Sequence, residues 1–457
     1  MSATDTAAAE AGSISDVVAR IERLPISWWH IKARIIIGVA TFFDAFDALA
    51  IAFVLPVLVP AWKLGGPQIG FLISAGYLGQ LVGALFFGWI AERYGRLTAM
   101  FWSIMIFAVM SVACALSPDY HSLVAARIIQ GFGLGGEVPV AATYISELAR
   151  AKGRGRFVLL YELVFPIGLV AAGFMGAWIV PRFGWQWMFV IGALPAFVAM
   201  VLQRLLPESP RWLATRGRNV DAQAALARIE RETEKSTGAP LPAPPKITIT
   251  GPLRASWSDL FGPIYLRRTL VVWVIWFAAY FFNYGLVVWL PTIYRTVFHL
   301  PLQQALQYGL ITQAVGFCGS LICALTIDRI GRRPWFTLAF AANALALGAL
   351  YFLGADSPER VLVLVSCGYF FVSVLSIGVY VYTPELYPTR ARAIAVGTAT
   401  AWLRFASILG PAIVGFIVGS GLGTVFLVFA AVAVVGAIVT GFFAVETKRR
   451  VLEEISP

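Results

Sequence analysis

The chain has 457 residues, of which 59% are hydrophobic and only 13% charged, and its mean hydropathy is +0.79. So little charge excludes a soluble globular protein of this size and calls for an integral membrane protein with many spans. The net charge of +11 is no sign of a nucleic-acid partner, because the basic residues are sorted by side. Only Lys63, Arg182, Arg295 and Arg360 fall in loops of one side, and Arg127 and Arg404 lie inside spans; every other Lys and Arg shares the termini and the alternate loops. That asymmetry is the positive-inside pattern, and it places both termini in the cytoplasm.

Residues 1–26 carry Asp5, Glu10, Asp16 and Glu22 and lack the apolar core of a signal peptide, so they read as a cytoplasmic tail. A short surface helix is expected over 15–24. Apolar runs then predict twelve transmembrane helices, at 33–59, 67–91, 97–116, 120–148, 154–180, 185–205, 268–297, 302–328, 334–354, 359–387, 391–419 and 421–444. The fold class is all-α, with two six-helix bundles at 27–205 and 267–444. A cytoplasmic loop at 206–266 joins them, and a cytoplasmic tail follows at 445–457. Within the loop, residues 219–234 read as an amphipathic helix capped by Asn219, and Gly238 to Pro245 as a proline-rich linker. Cys114, Cys318, Cys323 and Cys367 all fall in apolar runs and read as core. No metal or other cofactor is expected. The three histidines stand at span ends, no nucleophile and base share a useful spacing, and no phosphate-binding glycine loop with its Lys is present. An enzyme and an ATP-driven pump are therefore both disfavoured.

Span 1 carries Asp44 and Asp47, three residues apart and so on one helix face, about 16–21 Å from its cytoplasmic start at ~1.5 Å per residue. A charge at that depth costs about 2.5–3.5 kcal/mol on insertion scales. The pair therefore reads as a proton or substrate site, with a satisfied polar pair in the bundle interior as the alternative. In span 4, Arg127 lies about 10 Å and Glu137 about 26 Å below the outer surface. Arg127 is the candidate cation for the two acids. Glu137, among glycines that permit close helix approach, is either a second proton carrier or a structural hydrogen-bond acceptor; Glu162 in span 5 is also a candidate carrier. Arg404, about 20 Å into span 11, has no acid in its own helix and suits a substrate carboxylate, with a structural pairing to Glu162 or a backbone carbonyl as the alternative. Tyr280, Asn283, Tyr284 and Val287 share a face of span 7, with Tyr380, Tyr382 and Trp402 at a similar depth, and they predict an aromatic-lined pocket.

The two halves repeat. Glu92-Arg93-Tyr-Gly95-Arg96 after span 2 returns as Asp328-Arg329-Ile-Gly331-Arg332 after span 8, 236 residues later. Glu147, with Lys152 and Arg154, returns as Glu385, with Arg390 and Arg392, at an offset of 238. Acids at fixed places are not needed for orientation alone, so Glu92, Arg93, Arg96, Glu147, Arg154, Asp328, Arg329, Arg332, Glu385 and Arg392 are expected to form ion pairs that latch the cytoplasmic side. Parallel repeats with a midplane site between them are transporter architecture.

These turns resemble the signature of the major facilitator superfamily. Pro207-Glu-Ser-Pro-Arg-Trp-Leu213, Arg127-Ile-Ile-Gln-Gly-Phe-Gly, Pro384-Glu-Leu-Tyr-Pro and Glu446-Thr-Lys resemble its sugar-porter and organic-ion branch. The Asp-x-Phe-Asp of span 1 is similar to aromatic-acid:proton symporters. Gly135-Gly-Glu-Val-Pro-Val140, Tyr382-Thr-Pro-Glu and Arg404 resemble bacterial niacin transporters, with organic-anion transporters and synaptic vesicle glycoproteins as cousins. The resemblance implies that Asp47 and Arg127 form a proton-coupling pair and that Arg404 holds an organic anion, which puts Asp44 and Asp47 together on the proton-coupling side, Asp44 standing between coupling and pocket wall. Sugar porters carry paired glutamines in span 7, where this chain reads Phe277-Ala-Ala-Tyr-Phe-Phe, which disfavours a sugar. The expectation is a monomeric, proton-coupled importer of a small aromatic carboxylate, nicotinate first, in a bacterial inner membrane, with protons and membrane lipid as its other partners. Carriers of benzoate-type acids, sugars or organic cations, and a non-transporting receptor on the same fold, are the alternatives.

Overall fold

The computed structural model describes residues 15–150, 161, 163–245, 257–388 and 391–448, and every regular element among them is helical. Long helices occupy the expected spans: α1 Trp28–Trp62, α2 Gly66–Tyr94, α3 Arg96–Ala115, α4 Tyr120–Leu148, α5 Val164–Phe183 and α6 Gln186–Leu205. They continue as α7 Tyr265–Thr296, α8 Leu302–Ile330, α9 Arg332–Phe352, α10 Pro358–Glu385, α11 Ile394–Ser420 and α12 Leu422–Phe443. Eleven of these are long and apolar enough to cross a membrane. The exception is α4: at 29 residues it matches α2 in length, but Arg127, Gln130, Glu137 and a glycine run lower its hydropathy. Helices suit such a setting because each satisfies its own backbone polar groups where no water can.

Packing repeats between the halves. In the first, α4 lies against α2 and α3, α1 against α5, and α3 against α6; in the second, α10 lies against α8 and α9, α7 against α11, and α9 against α12. The halves meet along α2 with α11 and α5 with α8, the two pairs exchanged by the repeat. Glycines bring the first seam to backbone contact. A Cβ on Gly66 would lie 2.4 Å from the Gly415 carbonyl oxygen, and one on Gly70 2.6 Å from that of Pro411. α7 is interrupted: a helix over Tyr265–Gly285 gives way to a 3₁₀ turn at Val287–Trp289 and a short helix at Leu290–Thr296. Pro291 cannot donate the N–H that would continue the ladder, and the tighter turn takes up the break.

The connecting loop holds a helix at Asn219–Thr237, three residues longer than expected. Its N-cap is Arg218 rather than Asn219, with no side-chain cap; Arg218 Nε instead donates to Asp221 at 2.8 Å. The expected tail helix covers residues 15–22 and is more than a surface feature. Val17, Ile21 and Leu24 are buried in a cluster with Ala222, Leu226 and Ile229. Arg20 Nη2 and Arg23 Nη2 each donate to Glu230 at 2.6 Å. Burial raises the Glu230 carboxyl, but the hydrogen bonds and charges of Arg20 and Arg23 outweigh it and hold the group below the usual carboxylate range. A group depressed in the folded state stabilises the contact above its unfolded value, and that contribution is lost as pH falls through the folded value. We expect limited proteolysis to find residues 15–24 protected at neutral pH. Protection should be lost in Glu230→Gln and in acid; equal protection in the variant would show that the apolar contacts suffice.

Candidate functional site

Burying a lone charge is costly, so the first question at Asp47 is what satisfies it. Asp47 is fully buried and Arg127 is 2% exposed. Arg127 Nη1 donates to Asp47 Oδ2 at 3.0 Å and to Gln130 Oε1 at 2.7 Å. Gln130 Nε2 donates to Asp47 Oδ1 at 2.8 Å and to Ser111 Oγ at 2.7 Å. Arg127 and Gln130 stand one turn apart on α4, so a single helix face presents both donors to α1. Gly76 on α2 makes room for them, since a Cβ there would lie 2.9 Å from Arg127 Nη2. This pair is closed off from the cavity described next.

Asp44, one turn earlier on α1, faces a different space. It lines a cavity between the halves. Tyr280, Asn283, Tyr284, Tyr380 and Arg404 line the same cavity. Arg404 donates a hydrogen bond from Nη1 to Gln80 Oε1 on α2, which ties the cation to the opposite half. Trp276, Tyr280 and Tyr284 follow one another at four-residue spacing on α7 and stack, with centroids 5.7 and 5.8 Å apart and planes within 24° and 16°. Tyr77 of α2 closes on Tyr284 at 5.0 Å, and Tyr380 meets Trp276 edge-on at 4.7 Å. Of these rings, Tyr280, Tyr284 and Tyr380 line the cavity, beside the Arg404 guanidinium.

Several polar residues of the cavity escaped the sequence reading. Asn283 Nδ2 donates to Ser376 Oγ at 3.1 Å, and Tyr369 OH donates to Asn283 Oδ1 at 3.3 Å and Gln313 Oε1 at 3.2 Å. Gln80, Ser320 and Ser373 complete the polar lining. A signal was there: Gln313, Gly316 and Ser320 on α8, and Tyr369, Ser373 and Ser376 on α10, make small or polar stripes at helical spacing in otherwise apolar spans.

Other expected site residues lie elsewhere. Trp402 packs against Trp273, 5.5 Å away, outside the cavity. Glu137 is fully buried on α4 and accepts from Thr41 Oγ1 at 2.9 Å; Thr41 also meets Tyr161 OH. Glu162 and Arg154 fall outside the described residues.

The fate of Tyr382 follows from the charge turns. Gly95 and Gly331 have φ of 112° and 104°, a region that favours glycine. A Cβ at Gly95 would lie 2.4 Å from Glu208 Oε2, and one at Gly331 2.7 Å from Glu446 Oε2. Glu208 accepts from the backbone N–H of Arg96 at 3.0 Å and of Leu97 at 3.1 Å; Glu446 accepts from those of Arg332 and Arg333 at 3.1 and 3.0 Å. Each carboxylate thus caps the positive end of a helix. Arg96 pairs with Glu92 at 2.8 Å and Glu147 at 2.9 Å, while Arg332 pairs with Asp328 and Glu385, both at 2.8 Å. Tyr144 OH donates to the Pro207 carbonyl at 2.6 Å, and Tyr382 OH to that of Val445 at 2.9 Å. Tyr382 is the repeat partner of Tyr144 and belongs to this cluster rather than to the cavity lining. Arg93 lies beside Trp89 and Tyr94, each 5.7 Å to the ring centre. The Arg329 carbonyl accepts from Lys448, and Arg392 Nε donates to the Tyr387 carbonyl at 3.0 Å. Arg96 ties α3 to α2 and α4, and Arg332 ties α9 to α8 and α10, so both fasten helix ends inside one half.

Comparison with known proteins agrees with this architecture. The sequence profile of the sugar (and other) transporter family matches residues 42–457. The niacin transporter NiaP of Acinetobacter baylyi is 35% identical over 455 residues, covering 96% of this chain and 99% of that protein. The 4-hydroxybenzoate transporter PcaK of the same organism is 28% identical over 89% of this chain and 88% of its own length. The crystal structure of a D-xylose-proton symporter superposes with a TM-score of 0.71 at 20% identity, covering 92% of this chain and 99% of that one. These relatives are membrane transporters, not enzymes. A duplicated helical unit with matching charge turns, a cavity between its halves and a family profile spanning nearly the whole chain lead to one assignment: this is a multi-pass membrane transporter of the sugar (and other) transporter family, within the major facilitator superfamily.

Proposed function

We propose that the protein imports a small aromatic monocarboxylate, nicotinate first, together with a proton by alternating access across a bacterial inner membrane. In this reading α4 is the twelfth span, and both termini lie in the cytoplasm with the loop helix. The observation that carries it is the cavity itself: one guanidinium, Arg404, in a cavity lined by the rings of Tyr280 and Tyr284. Arg grips a carboxylate through two parallel hydrogen bonds, and the rings cover the face of a planar ligand. The niacin transporter relative supports the choice of ligand. Asp47 and Arg127 form the coupling pair. Protonation of Asp47 would cancel its attraction for Arg127 and let the helices around α1 and α4 rearrange, as a transition between access states requires. Glu137 would be a second proton carrier. The Arg96 and Arg332 clusters would keep each half rigid as the two rock.

One proton with one monoanion moves no net charge. Uptake at that stoichiometry follows the pH gradient and is indifferent to voltage, which otherwise contributes about 2.3 kcal/mol per charge per 100 mV. Radiolabelled nicotinate uptake into proteoliposomes with an imposed pH gradient tests the reading, and the absence of gradient-driven accumulation would end it. Arg404→Ala should weaken nicotinate binding about tenfold to a hundredfold, the range for losing a charged hydrogen bond of about 1.5–3 kcal/mol. Unaltered binding by calorimetry would remove Arg404 from the carboxylate site.

A further inference from the structure

Asp44 is a buried acid for which the coupling pair has no use. It is 4% exposed and lines the cavity, and its Oδ1 is buried without a hydrogen-bond partner among the described residues. Asp47 contrasts with it: both of its oxygens are taken, by Arg127 and Gln130. A buried carboxyl oxygen left unpaired costs the full desolvation of that group, so its partner should come from whatever fills the cavity. The groups that act on Asp44 electrostatically are Asp47 on α1 and Arg404 on α11, with Tyr77 on α2 and Tyr284 on α7 beside them. Arg404 takes the carboxylate of the ligand in the function proposed above, on which this inference rests. Asp44 is then available, with a buried oxygen unsatisfied among the described residues, to a second polar atom of the same ligand.

We infer that Asp44 recognises a ring nitrogen, and that the cavity selects azaheteroaromatic monocarboxylates over carbocyclic ones. The lone pair of a pyridine-type nitrogen lies in the ring plane, as does a conjugated carboxylate. A planar ligand held in this cavity against Tyr280 or Tyr284 carries both polar atoms on its edge, one for Arg404 and the other for Asp44. The hydrogen bond between a carboxyl and that nitrogen contains one proton, held by Asp44 or by the ring. In benzoate a C–H stands where the nitrogen would be, and Asp44 stays unpaired. A site built around a hydrogen bond rejects an analogue lacking it far more strongly than an apolar pocket rejects a missing methylene.

The test measures binding of nicotinate and of benzoate to the purified full-length protein in detergent, by calorimetry. Wild type should bind nicotinate at least about tenfold more tightly than benzoate. Asp44→Ala should lower nicotinate affinity to the level of benzoate and leave benzoate within about threefold of wild type. Asp44→Asn, nearly the same shape, keeps an N–H donor for the ring nitrogen and should retain most of the preference. If Asp44→Ala weakens both ligands equally, or wild type binds them equally, Asp44 does not read the ring and the inference is overturned. The same follows if only a phenolic acid such as 4-hydroxybenzoate depends on Asp44. If wild type binds none of these acids, the aromatic-carboxylate reading itself fails, a result distinct from the others. Because the wild-type preference needs no variant, a poorly folding Asp44→Ala does not remove the test.

Discussion

Asp47→Asn should abolish accumulation of nicotinate driven by a pH gradient while leaving exchange of labelled for unlabelled nicotinate intact. Asn has the shape of a protonated Asp and carries no charge, so the variant imitates the proton-loaded carrier permanently. Arg127 would lose its ion pair at 3.0 Å but keep its hydrogen bond to Gln130 Oε1 at 2.7 Å, so the local fold has an anchor. Removing the other partner is harsher. Arg127→Ala leaves the Asp47 carboxylate in the protein interior with only Gln130 to bond it, and breaking a buried pair in that way costs about 3–5 kcal/mol. We therefore expect the Arg127 variant to lose stability and the Asp47 variant to lose coupling. Two assays on one proteoliposome preparation separate the outcomes: uptake under an imposed pH gradient, and counterflow with no gradient. Undiminished gradient-driven uptake in Asp47→Asn would place the coupling proton elsewhere, with Glu137 the next group to examine.

The second large effect should come from a residue with no side chain. Gly415 and Gly66 meet across the seam between α11 and α2, where a Cβ on Gly415 would lie 2.5 Å from the Gly66 carbonyl oxygen. These are backbone atoms on both sides, so a neighbouring rotamer cannot relieve the overlap. Overpacking costs about 1–3 kcal/mol even where side chains can shift, which moves an equilibrium between two access states about fivefold to 150-fold. Gly415→Leu should hold the end of the molecule opposite the termini open, reduce net transport by at least tenfold, and leave ligand binding from that side in place. Labelling checks it directly. Ser74 is buried, and its hydroxyl donates to the Ile408 carbonyl at 2.7 Å across the same seam. A cysteine placed there, in a background without the exposed Cys318 and Cys367, should react with an impermeant thiol reagent faster in Gly415→Leu than in the parent. Equal reactivity together with normal transport would show that the seam does not close during the cycle.

Arg96 and Arg332 pair with acids at the helix ends of their own half, and Glu208 and Glu446 cap the helices that follow. A transporter whose halves move as bodies needs such internal fastening at the helix ends, where backbone groups are otherwise unsatisfied.

The apolar helices, and Arg127 as the candidate cation for the two acids of α1, were legible in the sequence alone. A bilayer demands about twenty apolar residues per crossing, and a charge inside one must find a partner, so length and cost left few choices. The repeated turns were legible for a related reason: a glycine with positive φ beside a helix start is a local requirement, visible wherever it recurs. Which side chains share the cavity was decided only by tertiary structure. Tyr380 and Tyr382, or Trp402 and Arg404, stand two residues apart and so point about 200° from each other on a helix; depth along a span cannot tell which of them faces inward. Packing against α7 turns Tyr380 and Arg404 to the cavity and sends Tyr382 to the Val445 carbonyl and Trp402 to Trp273. The same holds for Asp44 and Asp47. Helical spacing put them on one face, but Arg127 and Gln130 enclose only the second, and the first is left looking into the cavity.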